Sequence, residues 1–319
     1  MRWGIVGTGM HAAQRIAPAL AASATERLHG VAGSSEAKAR EFAQRLGAGQ
    51  AYPSLEAMLG DRAIEAVFIA TPNDRHRRQV ELAAAAGKHV LVEKPMALDE
   101  ADCRAMIAAC ARAKVKLGLG FHLRHHPVHR EIRRLIDAGE LGEVVLVRGE
   151  WHTAYGPWQN WRADVRRAGS DVTGAVAVHV LDLMGWFAGA EVRDVAALVD
   201  RSKETGLDQT IACALGYANG VMGTASATRR AAWPLNSVQV WGTRGAAGGI
   251  GTVGANLPGK LRRTSGAGVE ERVLPMVDLF AAQFEAFARA VQRDEEPDAS
   301  GADGLRSTAL ASRILAAAA

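Results

Sequence analysis

Six residues near the start, Gly7-Thr8-Gly9-Met10-His11-Ala12, constrain the fold of this chain more than any other stretch. They follow a short apolar run, Trp3–Val6, and open an alanine-rich stretch with helical spacing, Met10–Ala22. A glycine pair in that context reads as a strand–turn–helix phosphate loop. Gly7 permits the tight turn, Gly9 lets the backbone approach a pyrophosphate, and Ala12 is small enough for close helix–strand packing. The helix start then offers free N–H groups and a positive dipole end. Gly7, Thr8, Gly9, Met10 and His11 are the first candidate contacts to a dinucleotide.

The stretches that follow repeat the alternation. Leu28–Ala32, Gln50–Tyr52, Ala66–Ala70, His89–Val92 and Val115–Leu119 read as strands. Helices are expected over Glu36–Leu46, Leu55–Leu59, Arg75–Ala86 and Asp99–Ala113. Strand and helix alternating over short connections imply right-handed crossovers and a parallel sheet. Continuously apolar strands are what a sheet covered on both faces requires.

The pattern changes near residue 120. Pro127–Ala138 is a helix ending at Gly139, and the strands then come in neighbouring runs: Val144–Glu150, Val192–Val199, Thr210–Tyr217, Gly220–Ala227 and Ser237–Trp241. Asn219-Gly220 marks a hairpin turn. Gly242–Gly254 reads as turns and a strand, and helices are expected over Met276–Val291 and Leu305–Ala318. The expected fold is α/β: an N-terminal Rossmann domain, 1–120, and a second α+β domain, 121–319, built on a mostly antiparallel open sheet. At 319 residues the chain is long for one core.

Composition excludes more than it assigns. The net charge is only +4, with Arg and Lys scattered among Asp and Glu, which argues against a nucleic-acid partner. No apolar run reaches the length of a membrane span. Met1–Val6 reads as running straight into the first strand, so no signal peptide is expected. Cys103, Cys110 and Cys213 are odd in number and widely spaced, so neither a disulfide framework nor a zinc knuckle is expected. These features point to the cytoplasm.

Strand ends carry the remaining candidates. A carboxylate after the second strand would accept from the ribose 2′-hydroxyl of NAD. Here the residues are Gly33-Ser34-Ser35-Glu36-Ala37-Lys38. Ser34, Ser35 and Lys38 suit a 2′-phosphate, so NADP is favoured over NAD, and Glu36 is read as the start of the next helix. Thr71, Pro72, Asn73 and His76 follow one strong strand, and Glu93-Lys94-Pro95 the next, at the carboxyl ends where ligands of such sheets collect. Exchange between an alcohol and a ketone needs a proton donor and acceptor beside the cofactor, and a desolvated lysine suits that task. His122, His125, His126 and His129 invite a metal reading, but Pro127 interrupts them and no carboxylate or cysteine completes a set, so no metal is expected. Trp151 offers an aromatic face to a sugar or to the nicotinamide, or packs in the core.

Taken together, Gly7–Ala12, Thr71–His76, Ala86–Val90 and Glu93-Lys94-Pro95 resemble the Gfo/Idh/MocA oxidoreductases, the family of glucose-fructose oxidoreductase and inositol dehydrogenase. Trp161-Arg162 and Ala168–Asp182 resemble its second-domain segment. Gly118–Arg124, Lys38 and Trp161-Arg162 look closest to the 1,5-anhydro-D-fructose reductase branch, which uses NADPH. The resemblance implies a sugar or polyol between the domains, with Lys94 and His179 flanking the reacting carbon. It implies Arg124, Trp161 and Arg162 at the cofactor, His122, Trp151 and His179 at the substrate, and oligomer contacts through the open sheet, in a homodimer or homotetramer. One position departs from the pattern. The family aspartate four residues before the histidine is Ala175 here, with Asp171 and Asp182 as neighbouring carboxylates. That departure leaves three uses of the same fold: an NADP-dependent sugar or polyol oxidoreductase, an enzyme that oxidises, eliminates and re-reduces on retained NAD(P), or an inactive NADP-binding sensor.

Overall fold

The computed structural model describes residues 1–156, 158–232, 236–254 and 257–317. The chain divides into two compact units. The first comprises Met1–His122 and Phe280–Leu305, so a segment far along the chain returns to it. Its sheet holds β1 (Arg2–Val6), β2 (Arg27–Ala32), β3 (Gln50–Tyr52), β4 (Ala66–Ile69), β5 (His89–Val92) and β6 (Leu117–Leu119). All are parallel, in the order β3-β2-β1-β4-β5-β6. The order reverses at β1, which creates the switch point where ligands of doubly wound sheets bind. Every residue of β4 is buried. Since successive side chains point to opposite faces, both faces of the sheet are covered.

Helices α1 (Ala17–Ala22), α2 (Glu36–Leu46), α3 (Leu55–Leu59), α4 (His76–Ala85) and α5 (Glu100–Ala113) join these strands. The sequence sets their starts. Ser35, Ser54 and Asp99 each cap a helix by accepting a backbone N–H from three residues on. The last strand is shorter than the expected Val115–Leu119. Lys114 turns left-handed at φ 56° to close α5, and the N–H of Val115 bonds back to Cys110 O at 3.0 Å instead of joining the sheet.

The second unit, Leu123–Leu279 with Arg306 onward, is built after α6 (Pro127–Asp137) on one sheet of eight strands. These are β7 (Val144–His152), β8 (Val192–Arg201), β9 (Asp208–Tyr217), β10 (Met222–Thr228), β11 (Ser237–Gly242), β12 (Gly245–Ile250), β13 (Lys260–Ser265) and β14 (Gly268–Arg272). Their order is β14-β13-β12-β11-β7-β10-β9-β8. Among the described residues only β7 and β10 pair in parallel; the other neighbours are antiparallel, which gives the mostly antiparallel sheet expected. The β9–β10 turn differs from a two-residue turn with both central residues at positive φ. The N–H of Gly220 bonds to Tyr217 O at 3.0 Å and only Gly220 takes positive φ, 88°. That is a turn followed by a left-handed glycine.

Helix α7 (Val165–Ala168) precedes α8 (Val178–Ala188). Helix α8 lies on the inner sheet face, where a Cβ at Gly149 would come within 2.0 Å of Val180 Cγ1. The stretch Val165–Ala188 is long and apolar enough to cross a membrane, which corrects the expectation that no such run exists. Its most apolar window is 83% buried within the protein, the environment of a core helix. The chain closes with α9 (Leu279–Arg293) and α10 (Gly301–Ala317). Ala318, expected to end the last helix, lies outside the described residues.

Helix α9 supplies the first unit with aromatic packing. Phe284 and Phe287 flank Trp3 at 4.8 and 5.5 Å between ring centroids, and Trp3 Nε1 donates to Glu26 at 2.7 Å.

Candidate active site

Gly7 leaves β1 at φ 112°, and its N–H bonds to Ala32 O at 2.8 Å. A Cβ there would meet Ala70 O at 2.6 Å, so the turn is pressed against the end of β4. A Cβ at Gly9 would meet nothing within 4 Å. The backbone therefore presents open space at the residue where a pyrophosphate needs close approach. The helix begins at Met10, whose side chain is 64% exposed, and runs through a π-helical segment, Ala12–Ile16. Loop, space and helix start together fit a dinucleotide.

The carboxyl ends of β4 and β5 bring the next candidates together. Glu93 follows β5, and its Oε1 lies 2.8 Å from His11 Nε2 in the glycine-loop helix. Its Oε2 accepts the backbone N–H of Lys94 at 3.2 Å. Burial pushes the Glu93 carboxyl up, but His11, Lys94 and His122 outweigh it and hold the group down at about 2. Lys94 joins Pro95 through a cis peptide bond. The Thr71 hydroxyl donates to Gln79 Oε1 at 2.5 Å, and Asn73 is buried. His76 is fully buried. Its Nε2 faces Thr71 O at 3.0 Å and its Nδ1 faces Met96 O at 3.1 Å and Pro95 O at 3.2 Å. Both ring nitrogens are thus turned onto the two loops that carry Thr71 and Lys94.

At the end of β2, Ser34, Ser35 and Lys38 are exposed. The Ser35 hydroxyl serves α2 as its cap, accepting from the Lys38 N–H at 3.4 Å. Glu36 bonds to Arg40 at 2.5 Å along the same helix. Its carboxylate is thus committed within α2.

In the second unit, His179 stands in the first turn of α8, just after a π-helical segment at Thr173–Ala177. Such wide turns recur at functional sites. His179 is 3% exposed and its ring lies 5.1 Å from that of Trp151. The carboxylates near it have strong partners. Asp182 receives Arg124 Nε at 2.8 Å and Nη2 at 2.6 Å. Asp171 accepts from Tyr155 Oη at 2.8 Å and Trp158 Nε1 at 2.9 Å, and pairs with Arg229 at 2.9 Å. Arg124, expected at the cofactor, is also within 5.7 Å of the Trp186 ring centre and is buried. Arg162 lies over Trp161 at 4.6 Å and over Trp158 at 5.0 Å.

The four neighbouring histidines turn to different partners. His122 stacks on Phe280 at 4.5 Å, and His125 Nδ1 meets Arg130 at 3.0 Å. His126 Nε2 meets Leu257 O at 2.8 Å, and His129 spans Leu123 O and Thr252 Oγ1. Among the described residues, no group of three or more His, Cys, Asp or Glu side chains is arranged to hold a metal. Sequence reasoning missed Phe280, which stacks on His122 and meets His11 edge-on at 5.5 Å. It arrives from the far end of the chain, so no local spacing announces it.

Comparison with known proteins adds to this geometry. Residues 1–121 match the oxidoreductase family with an NAD-binding Rossmann fold, and residues 129–248 match the Gfo/Idh/MocA C-terminal domain. The chain is 29% identical over 323 residues to 1,5-anhydro-D-fructose reductase of Ensifer adhaerens, covering 100% of this chain and 96% of that protein. It is 31% identical over 305 residues to D-xylose 1-dehydrogenase (NADP(+)) 2 of Haloferax volcanii, covering 93% and 91%. The crystal structure of an aldose-aldose oxidoreductase from Caulobacter crescentus, complexed with glycerol, superposes with a TM-score of 0.92 at 26% identity, covering 100% and 97%. The glycine loop, the Glu93-Lys94-Pro95 strand end and both matched domains lead to one conclusion: this chain is an oxidoreductase and belongs to the Gfo/Idh/MocA family.

Proposed function

We propose that the protein is an NADP-dependent oxidoreductase that acts on the carbonyl or alcohol group of a sugar or polyol. The observation that carries this reading is the junction of His11, Glu93 and Lys94, which joins the glycine loop after β1 to a lysine at the end of β5. The named relatives act on sugars, and one carries NADP in its name. Bound along Gly7, Thr8, Gly9, Met10 and His11, the dinucleotide supplies the hydride chemistry. Thr71, Pro72, Asn73 and Glu93 border its nicotinamide half, and Trp161 and Arg162 cover it. Ser34 and Lys38 face its 2′-phosphate, with Glu36 already held by Arg40.

Lys94 gives a proton to the substrate oxygen during reduction and takes it back during oxidation. His179, whose ring lies beside that of Trp151, assists that exchange, and His122 and Trp151 line the substrate. Arg124 serves the framework of the second unit through Asp182. The first unit is thus assigned to the cofactor, and the second to the substrate and to self-association.

The outer face of the second sheet supports self-association. Leu198 is 78% exposed and Met222 55%. A shallow hollow of ≈ 520 Å³ there is lined by Arg148, Glu150, Ala212 and Ser226, and includes neither His179 nor Trp151. A second copy covering this face would make a homodimer or homotetramer. The three cysteines are buried and none is in a disulfide, in keeping with a reducing cytoplasm.

The deciding experiment follows nicotinamide absorbance with NADPH and a panel of keto-sugars. Turnover is expected with at least one member, and Lys94→Met should lower it by about 10²–10⁴-fold while NADPH still binds. Undiminished turnover by Lys94→Met would remove Lys94 from the mechanism.

A further inference from the structure

The dinucleotide loop and Lys94 belong to different β–α connections. The loop leaves β1, Lys94 follows β5, and β4 lies between them in the sheet. One carboxylate joins the two. Glu93 Oε1 meets the His11 ring at 2.8 Å, and Glu93 Oε2 receives the Lys94 N–H at 3.2 Å. The surroundings make room for that carboxylate and hold it. At Gly120, just past β6, a Cβ would stand only 3.2 Å from Glu93 Oε1, 3.3 Å from its Cδ and 3.4 Å from its Oε2. Phe280 at the start of α9 presses edge-on against His11 at 5.5 Å and stacks on His122 at 4.5 Å. The Glu93 side chain is 13% exposed and that of His11 36%. Residues from four separate stretches therefore close on one histidine–carboxylate contact, beside the loop that is to hold the pyrophosphate.

We infer that the His11–Glu93 pair is a positioning device that couples the seat of the dinucleotide to the backbone of Lys94. This inference rests on the oxidoreductase reading above. His11 fixes one carboxylate oxygen from the phosphate-loop helix, and the other oxygen fixes the peptide N–H of Lys94. Because both duties fall on a single planar group, a shift of the loop rotates or withdraws the acceptor of the Lys94 N–H. His11 is thus a positioning residue that acts on Lys94 through Glu93. Loss of the tie is expected to affect turnover as well as binding, since small misplacements at a reacting centre are costly. Gly120 belongs to the same device, because a methyl group there would press on the carboxylate and require it to give by a few tenths of an ångström.

The test uses the full-length enzyme with NADPH and the best keto-sugar of the panel. Dissociation constants are read by NADPH fluorescence, and kcat and KM by absorbance. His11→Ala is expected to lower kcat by about tenfold or more and to weaken NADPH severalfold. His11→Gln keeps an N–H donor at similar reach and should restore kcat to within about threefold of wild type. Glu93→Gln combined with His11→Ala should be little worse than either change alone, because both break one unit. Thermal melts identify variants that fail to fold, in which case His11→Gln and Gly120→Ala carry the test. Gly120→Ala should lower kcat with His11 and Glu93 both present. The inference is overturned if His11→Ala keeps kcat near wild type, if the two losses simply add, or if His11→Gln rescues nothing. If the wild-type protein binds neither NADPH nor NADH, the oxidoreductase reading fails instead. The two failures are therefore distinct.

Discussion

The Asp182 carboxylate holds the Arg124 guanidinium through two hydrogen bonds, at 2.8 and 2.6 Å, with 4% and 6% of the two side chains exposed. Asp182 lies three residues after His179 on α8, so this pair anchors the helix that carries the proposed assisting group. Breaking a buried pair leaves an uncompensated charge. Asp182→Ala should therefore lower unfolding free energy by about 3–5 kcal/mol, read by urea denaturation. Asp182→Leu together with Arg124→Met should recover most of that loss, since no charge is stranded. Equal losses in the single and double variants would show that the charge itself does not matter.

Cofactor choice is tested at the end of β2. Lys38 is exposed there, while Glu36 is held by Arg40. Removing a charge-assisted contact to a 2′-phosphate costs about 1.5–3 kcal/mol. Lys38→Ala should thus weaken NADPH by roughly 10–100-fold and leave NADH nearly unchanged. Ser34→Asp should turn the preference toward NADH, because a carboxylate repels the phosphate and accepts from the ribose hydroxyl. Titrations with both dinucleotides decide the matter. If Lys38→Ala weakens both equally, the lysine does not read the phosphate.

Glu93 predicts a response to acid. Burial raises its carboxyl, but His11, Lys94 and His122 bring it down to about 2 from the ordinary 4.5. His76, on the adjoining α4, also feels the Glu93 charge. Between those two values the unfolded chain binds the proton and the folded chain does not, so stability falls as pH falls. The contribution is complete above about 4.5 and gone below about 2. Glu93→Gln has no such proton to take up. The difference in unfolding free energy between wild type and Glu93→Gln should therefore shrink on acidification through this window. A difference that stays constant would mean that Glu93 is not held ionised by its neighbours.

What the sequence made legible was local. The glycine loop, the apolar β4 and the capping residues Ser35, Ser54 and Asp99 announce themselves within a few residues. Lys94 was legible by its place at a strand end. What stayed hidden depends on partners distant along the chain. His11 and Glu93 are 82 residues apart. Phe280 reaches His122 only because α9 folds back onto the first unit. Strand β14 was hidden for another reason: all five of its residues are exposed, so it carries no buried face to give a hydrophobic period. The parallel pairing of β7 with β10 is likewise a matter of topology, since neither strand's own residues distinguish it from an antiparallel neighbour.

Gly7 and Gly9 are expected to fail in different ways, and that difference tests the cofactor seat apart from any turnover. Gly7 sits at φ 112°, and a Cβ would come within 2.6 Å of Ala70 O. Gly7→Ala therefore strains the folded protein itself, by about 1–3 kcal/mol from the backbone conformation and more from the clash. Gly9 has no atom within 4 Å of its missing Cβ and no positive φ. Gly9→Ala should melt within a degree or two of wild type in the absence of ligand, as surface changes of about 0.5 kcal/mol do. Its methyl group then occupies the space that the pyrophosphate requires, so NADPH should bind at least about tenfold more weakly. Thermal melts of the free proteins and fluorescence titrations with NADPH separate the two effects. Tight NADPH binding by Gly9→Ala would place the dinucleotide elsewhere, whereas an unstable Gly9→Ala would mean that the open space beside this loop is not there in solution.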